Sequence, residues 1–274
     1  MPLALRELRL LAAWQMPCLA PAMCNLYSMV KTRDYVRGLI GALRDLNNNQ
    51  PPIPGIFPDY AAPIVRMENG ERIMQDARWG LPSSRKALLD AATKRADKLR
   101  ANGKEVDFDL LLRMEPDGGT TNVRNTASSH WKRWLGPANR CLVPLTSFAE
   151  PEVMPDGSRP NAWFALDDSR PLAFFAGIYV PAWTSVRKMK EGEVTSDLYG
   201  FLTCDPNADV APIHPKAMPV IFTKPEEWDA WLTEEWDQAS FQRPLPNGML
   251  KVVARGGKSD GEGAGELSPE PSFL

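Results

Sequence analysis

The sequence predicts an α+β fold: a curved, largely antiparallel β-sheet with a barrel-like core and short helices at its periphery. Three observations lead to this class. Short apolar runs dominate the chain from Arg140 onward, as in CLVPLTSF, NAWFAL, PLAFFAGIYV and LYGFLTC. Turn residues such as Asp156-Gly157 separate these runs, which is typical of antiparallel strands. The 26 prolines punctuate strands and loops, and they disfavour a helical bundle.

The first third of the chain adds a helix and a hairpin. Residues 29–46 carry apolar side chains at helical spacing, with Thr32 as the N-cap and a polar stop at Asn47. Residues 62–67 are predicted to form a strand, which turns at residues 68–71 and returns through residues 73–79. The hairpin gives the predicted sheet its first antiparallel pair.

The remaining elements are an inserted segment, a compact helix and a tail. Residues 85–115 are charged and rich in alanine and leucine, and their period predicts two helices separated by Gly103. We interpret them as an insertion between a strand and the loop that follows it. A further helix is predicted over residues 225–235, with Pro225 at its start. Residues 256–274, rich in glycine, serine and acidic residues, are predicted to be disordered.

Composition excludes several classes of protein. A length of 274 residues fits one large domain with its own core. A net charge of −2 argues against coating nucleic acid by bulk charge, although it allows a local basic groove. Four cysteines without CxxC spacing and two histidines predict no metal centre and no disulfide framework. Since the cysteines form no disulfide framework and no apolar stretch is long enough for a bilayer, we expect a reduced, cytoplasmic protein.

Cys24 lies directly behind Met23, so a chain started at Met23 exposes an N-terminal cysteine once the methionine is removed. Only such a residue carries a free α-amine and a thiol on neighbouring carbons, and this pair condenses with an aldehyde to a thiazolidine ring. The amine is partly unprotonated at neutral pH, and the thiol is readily activated. Residues 1–22 do not match a secretory signal, because charged residues and prolines interrupt them, nor a lipoprotein box, because Met23 fills the position where a small residue is needed. We expect this leader to be absent from the mature protein, through an internal start or through removal.

Four polar features stand out against the apolar strands: Cys24 with Asn25, the loop Asn122-Val123-Arg124-Asn125, Glu150, and His214. Glu150 directly follows an apolar strand, and Gly118-Gly119 forms a flexible lead-in to the Asn122 loop. Taken singly, each has a structural explanation. A glutamate that closes a strand is usually a solvated charge, and a cysteine is usually a small core residue.

Together these features resemble the SOS response-associated peptidase (SRAP) family of abasic-site processing proteins. The resemblance rests on the order Met-Cys, Asn-x-Arg, an apolar strand that ends in glutamate, and His followed by Met-Pro-Val-Ile. The segments Arg140-Cys141-Leu142-Val143-Pro144, Trp79-Gly80-Leu81-Pro82 and Ala62-Pro63 agree with it as well. It covers residues 23–255, which we take as one SRAP-like domain that contains the 85–115 insertion.

The resemblance implies a covalent sensor of abasic sites in single-stranded DNA. Cys24 would trap the aldehyde of the ring-opened deoxyribose as a thiazolidine, and Glu150 would act as the acid/base with a raised pKa. His214 would assist proton transfer, and Asn122 would orient the amine and the sugar. Arg124 would grip a phosphate. The implied protein is a monomer that needs no metal or other cofactor and does not bind membranes. It would associate with the nucleoid when DNA is damaged.

The implied DNA contacts extend beyond this catalytic set, to Asn25, Pro63, Trp79, Arg124, Lys132, Arg133 and Lys216. Trp131 and Trp134 flank Lys132 and Arg133, a mixture that suits base stacking beside backbone contacts. The alternative is that both tryptophans belong to the core and that the basic residues form an exposed helix face. The chain departs from the family pattern at Pro151 after the glutamate, at Asn125-Thr126, and at Pro215-Lys216-Ala217, where Lys216 stands in for an arginine.

Two other functions fit part of the sequence. One is a cysteine peptidase with Cys24 as the nucleophile, acting on its own leader to expose that cysteine; crosslinking, lyase-like and autopeptidase activities would then share one site. The other is a single-stranded DNA binder without enzymatic activity, which needs a basic groove but not the cysteine. The N-terminal residue of the mature chain and its reaction with abasic DNA discriminate between these alternatives.

Overall fold

The structure is a computed structural model that describes residues 25–47 and 51–260. Cys24, the leader 1–22 and residues 261–274 of the predicted tail lie outside the described residues. Two sheets account for the strands within these ranges. The smaller sheet has five strands in the order β14-β9-β8-β1-β3: β1 (Tyr27–Met29), β3 (Ile53–Ile56), β8 (Ser147–Pro151), β9 (Asn161–Ala165) and β14 (Lys251–Arg255).

The larger sheet closes on itself. Its long strands are β4 (Ala61–Glu68), β5 (Glu71–Trp79), β7 (Arg140–Leu145), β10 (Ala173–Val186) and β11 (Glu193–Cys204). Its short strands are β2 (Arg44–Asp45), β6 (Asn122–Val123), β12 (Met218–Pro219) and β13 (Ile221–Phe222). The long strands pair antiparallel in the order β11-β10-β7-β4-β5, and a parallel pairing of β5 with β11 completes the ring. This ring is the barrel-like core that the sequence predicts, so the predicted fold class is confirmed.

The helices lie around the sheets. They are α1 (Arg33–Ile40), α2 (Arg85–Ala101), α3 (Phe108–Arg113), α4 (Ser129–Lys132), α5 (Pro225–Thr233) and α6 (Gln238–Phe241). Thr32 caps α1 as predicted, because its side chain accepts a hydrogen bond from the Tyr35 amide at 3.2 Å. The helix is shorter than predicted: it ends at Gly41, whose φ of 64° gives a left-handed C-terminal turn. The chain then continues into β2.

The β4–β5 hairpin and the two helices over 85–115 agree with the predicted local structure. Asn69 and Gly70 form the hairpin turn with φ values of 52° and 83°, a conformation that Asn-Gly favours. Gly103, with a φ of 73°, separates α2 from α3. Residues 256–260, which the sequence assigns to the disordered tail, lie against the smaller sheet. There, buried Asp260 accepts a hydrogen bond from the Ser147 hydroxyl. It also forms a bidentate ion pair with Arg170, whose Nε and Nη2 donate to its two carboxylate oxygens.

An aromatic core fills the space between the two sheets. Tyr27 from the smaller sheet packs edge-on against Trp79 and Phe175 of the barrel, with ring centroids 5.1 and 5.4 Å apart. Phe148 meets Phe175 at 6.3 Å, and Phe175 stacks on Phe201 at 4.2 Å. These contacts fix β1 and β8 against β10 and β11. The polar residues that continue these strands therefore gather at the same rim.

Candidate functional site

Glu150 is the most unusual polar residue at this rim. It lies on β8 two residues after Phe148, so both side chains point to the inner face, and its exposure is 0%. Within residues 25–47 and 51–260, neither of its carboxyl oxygens accepts a hydrogen bond. Burial raises the pKa of the Glu150 carboxyl well above its ordinary range, because the charged form would lose its hydration. Burial therefore favours the neutral form of this carboxyl, which is not the solvated charge usual at a strand end.

His214 reaches Glu150 from the loop between β11 and β12. Its Nδ1 lies 4.0 Å from Oε2 of Glu150, beyond direct hydrogen-bonding distance. Nδ1 is 2.7 Å from the carbonyl oxygen of Ala217, and a carbonyl can only accept, so Nδ1 carries a hydrogen. When the ring is neutral, Nε2 is then the nitrogen that carries no hydrogen. The loop Pro215-Lys216-Ala217, which departs from the family pattern, thus sets the tautomer of this histidine.

Asn122 and Asn25 are linked through Thr121. The side-chain amide of Asn122 donates to the Thr121 hydroxyl at 2.9 Å, and that hydroxyl donates to Oδ1 of Asn25 at 3.0 Å. Asn122 is buried because β6 pairs in parallel with β11, where it faces Phe201. Sequence reasoning gave no role to Thr121, which directly precedes the Asn122 loop.

The strand register brings Asn25 to Glu150. β1 and β8 pair antiparallel with Tyr27 opposite Phe148, and the Ala149 amide donates to the Leu26 carbonyl at 2.9 Å. Continuing this register by two residues sets Asn25 level with Glu150. The chain therefore enters β1 beside the buried carboxyl. Glu150, His214, Asn25 and Asn122 therefore lie at the same rim.

Arg124 is the cation that follows Asn122 on the same segment. Its side chain is about one-third exposed, at 37%, and its guanidinium pairs with the carboxylate of Asp205, which is 86% exposed. Asp205 follows β11 directly, so this pair lies just past the β6–β11 ladder. The guanidinium of Arg124 is thus paired with a surface carboxylate beside Asn122.

The other predicted DNA contacts divide by exposure. Trp79 has no exposed surface: it stacks on Tyr199 and Phe201 and donates from Nε1 to the Thr121 carbonyl at 3.2 Å. Pro63 is buried in β4 opposite Asp76. Neither presents a face to DNA in this structure, so a direct contact by either residue is not supported; Trp79 instead holds the segment that precedes Asn122.

The basic residues Lys132, Arg133 and Lys216 are exposed. Arg133 lies 3.9 Å above the ring of Trp134, which is itself 8% exposed, and Trp131 is half-buried beside it. This arrangement corresponds to the alternative in which the tryptophans belong to the core. Lys132 and Arg133 still provide positive charge, and the ring of Trp134 is covered by Arg133.

Arg187 holds the lead-in to Asn122, and no motif in the sequence predicts this role. Its buried guanidinium donates to the carbonyls of Gly80 at 2.9 Å and Asp117 at 3.2 Å. A Cβ built on Gly119 would lie 2.7 Å from the guanidinium nitrogens, and one on Gly80 would lie 2.3 Å away. The Gly118-Gly119 segment, predicted to be flexible, is therefore held in place, and its glycines make room for an arginine. In the sequence, only the two glycines could have indicated this contact. In the structure both Gly80 and Gly119 have a positive φ.

Within the residues described, no three histidine, cysteine or carboxylate side chains are arranged to hold a metal ion. None of the helices in the same ranges is both long and apolar enough to cross a bilayer.

Comparison with known proteins identifies the family. Residues 115–254, just over half of the chain, match the sequence profile described as SOS response associated peptidase (SRAP). The fold is similar to that of a Bordetella bronchiseptica crystal structure at 22% identity and a TM-score of 0.56, covering 83% of this chain and 97% of that one. A Bacteroides thetaiotaomicron protein gives 19% identity and a TM-score of 0.57, with coverage of 83% and 90%.

A phage-related protein from Bordetella bronchiseptica is also similar, at 16% identity and a TM-score of 0.51, covering 83% of this chain and 92% of that one. At these identities the likeness shows the fold alone. No curated protein matches the chain significantly. The profile match covers β6, β8 and the His214 loop, which carry the site at the rim. The chain belongs to the SOS response associated peptidase family.

Proposed function

We propose that this protein captures abasic sites in single-stranded DNA as a covalent thiazolidine adduct with Cys24. One observation carries the proposal: Glu150 is a buried carboxyl without a hydrogen bond among the described residues, 4.0 Å from His214 and level with Asn25. Asn25 is the residue that follows Cys24 in the sequence. A neutral carboxylic acid next to a reactive amine is what imine chemistry requires.

The reaction proceeds in balanced steps. Glu150 donates its proton to the ring oxygen of the deoxyribose and regains the proton of the C1′ hydroxyl, relayed by His214, as the ring opens to the C1′ aldehyde. The Cys24 amine adds to C1′ and passes one of its protons to the new oxygen, which gives a carbinolamine. Glu150 protonates the hydroxyl of the carbinolamine, which leaves as water, and the iminium returns its N–H proton to Glu150 to give the imine. The thiol sulfur then adds to the imine carbon, and its proton passes to the nitrogen. The sum is one aldehyde and one cysteine converted to one thiazolidine and one water.

His214 and Asn122 support these steps. With Nδ1 bound to the Ala217 carbonyl, His214 offers Nε2 to accept a proton from the substrate or from a water. Asn122 and Asn25, joined by Thr121, supply amide groups for orienting the amine and the opened sugar. Arg124 exchanges Asp205 for a backbone phosphate, and Lys216, Lys132 and Arg133 add positive charge along the strand.

The family's description as a peptidase supports a second candidate. Hydrolysis of the Met23–Cys24 bond by the same site would remove the leader and create the N-terminal cysteine. An amide nitrogen has its lone pair delocalised into the carbonyl and cannot attack an aldehyde, so a chain that retains residues 1–22 is expected to be inert. Autoproteolysis and crosslinking are therefore successive uses of one site, and the mass of the chain tells them apart.

The test combines intact mass with adduct formation. A chain that starts at Cys24 should give a heat-stable adduct with abasic single-stranded DNA on a denaturing gel. Cys24→Ala should abolish the adduct while binding to DNA survives, and Cys24→Ser should leave a Schiff base that borohydride traps. Cys141→Ala is the matched control, because the buried Cys141 thiol has a strongly raised pKa and lies within the core. A stable adduct from the Cys24→Ala variant, or from a chain that retains its leader, contradicts the proposal.

A further inference from the structure

Gln242 makes three side-chain hydrogen bonds that converge on the segment of Asn122 and Arg124. Its Nε2 donates to the carbonyl of Arg124 at 2.7 Å and to the carbonyl of Thr203 at 2.8 Å. Its Oε1 accepts from the hydroxyl of buried Thr126 at 2.8 Å. The orientation of the amide is fixed by these partners, because two carbonyl oxygens both require a donor.

These contacts lie where a short pair of strands ends. β6 has only two residues, and its parallel ladder with β11 pairs Asn122 with Phe201 and Val123 with Leu202. Arg124 and Thr203 are the next residues on the two strands. The Gln242 amide bridges their carbonyls and so continues the β6–β11 connection by one step beyond the ladder. A two-residue parallel pairing is marginal without such support, since each of its hydrogen bonds contributes little.

The amide itself is held firmly. Gln242 follows α6, and its backbone amide donates to the Gln238 carbonyl at 2.9 Å. The preceding residue, Phe241, is buried against Trp231 and Trp236, with ring centroids 5.3 and 6.2 Å apart. An anchored aromatic residue next to the glutamine leaves its side chain little freedom, so the bridge connects β6 to a rigid part of the core.

We propose that Gln242 is a positioning residue: its carboxamide fixes the end of β6, and through it the backbone from which the Asn122 and Arg124 side chains extend. The inference rests on the proposed function, in which Asn122 orients the amine and Arg124 grips a phosphate. Gln242 has no part in the chemistry and acts only through these two residues.

Two variants with a matched control test this role. Gln242→Glu keeps the shape but replaces the donor with an oxygen that faces two carbonyls, and Gln242→Met removes all three hydrogen bonds without adding charge. Gln238→Glu adds the same charge one turn earlier at an exposed position. Both Gln242 variants should weaken binding of single-stranded DNA and slow adduct formation by about tenfold, the effect of losing two to three hydrogen bonds of modest net strength. Gln238→Glu should stay within about twofold of wild type on both measures.

A double-mutant cycle separates positioning from general stability. Arg124→Ala should reduce the salt slope of DNA binding by about one in the wild-type background, and should have little further effect in Gln242→Met. An undiminished effect of Arg124→Ala in that background, or wild-type affinity and rate in Gln242→Met, overturns the inference. Urea unfolding shows whether Gln242→Glu still folds, and Gln242→Met carries the test if it does not.

Hydrogen exchange gives a readout independent of activity. Backbone amides of residues 122–126 should exchange faster in Gln242→Met than in wild type, whereas those of β8 should not change. Unchanged exchange at residues 122–126 contradicts the positioning role, whatever the reaction. If wild-type protein neither binds nor crosslinks abasic DNA, the proposed function fails, and the exchange experiment still decides whether Gln242 fixes β6.

Discussion

Replacing the Glu150 carboxyl by an amide should slow the proposed reaction and stabilise the fold. Glu150→Gln keeps the size of the side chain but cannot donate and regain a proton, so single-turnover adduct formation should fall by about 10²-fold or more. Stability should change in the opposite direction. The wild-type carboxyl is buried and, among the described residues, accepts no hydrogen bond, so its ionised form is disfavoured in the folded state.

The pH dependence follows from the raised pKa. An unfolded glutamate loses its proton above its ordinary pKa of 4.5, whereas folded Glu150 keeps its proton to a much higher pH. The folded state therefore binds more protons, and wild-type stability falls as pH rises through this window. The slope for one group is at most about 1.4 kcal/mol per pH unit. Between pH 5 and pH 7 the free energy of unfolding should thus fall by up to about 2.7 kcal/mol through Glu150.

Urea unfolding of wild type and Glu150→Gln at pH 4, 5, 6 and 7 measures this effect directly. The stability of the variant relative to wild type should increase steadily above pH 4.5 and should be smallest at pH 4. Glu105→Gln, at an exposed position, is the control and should give a difference that does not vary with pH. A Glu150→Gln difference that stays flat from pH 4 to pH 7 would refute the reasoning, because it would mean that Glu150 ionises normally in the folded protein.

Three further outcomes are expected at other positions. His214→Ala should reduce single-turnover adduct formation by about tenfold, less than Glu150→Gln, because His214 assists proton transfer and does not open the sugar; an equal loss would give it the main role. Asp205→Asn should raise the affinity for single-stranded DNA by about two- to fivefold in fluorescence anisotropy, since it releases Arg124 from a surface pair; weaker binding would show that Asp205 supports the site. Arg187→Met should lower the free energy of unfolding in urea by about 3–5 kcal/mol, because it leaves the buried carbonyls of Gly80 and Asp117 without a donor. Lys190→Met, at an exposed position, is the control and should leave the stability unchanged. Equal losses of stability in the two variants would contradict the positioning described for Arg187.

Local features of the fold could be predicted from the sequence because neighbouring residues determine them. Thr32 begins α1 by accepting from an amide three residues on, and Asn69-Gly70 turns the β4–β5 hairpin through its own backbone preferences. The alternation of apolar runs and turns predicted an antiparallel sheet. The end of α1 was placed too late, because the apolar period continues past Gly41 while the left-handed glycine stops the helix.

The residues of the site likewise fall into those that sequence motifs identify and those that only the structure shows. Sequence motifs selected Asn122, Arg124, Glu150 and His214, and the structure brings these residues to the same rim. The sequence could not show that Trp79 and Pro63 are enclosed, since an aromatic or a proline within a motif suits either a ligand contact or the core. Arg187 and Gln242 were missed because each acts on a segment far away in the chain and belongs to no motif of its own.

What the sequence alone determined is therefore chemical: the kinds of groups present, their order, and the local elements that carry them. The tertiary structure decided which of these groups are buried and how their ionisation is shifted. Closure of the barrel through β5 and β11, and its aromatic contacts with the smaller sheet, enclose the end of β8, so Glu150 loses its hydration and its pKa rises. That loss depends on atoms brought in from distant strands, and desolvation is a sum over everything within reach of the carboxyl. No pattern along the chain encodes it, because proximity in the fold, and not in the sequence, sets the energy of a buried charge.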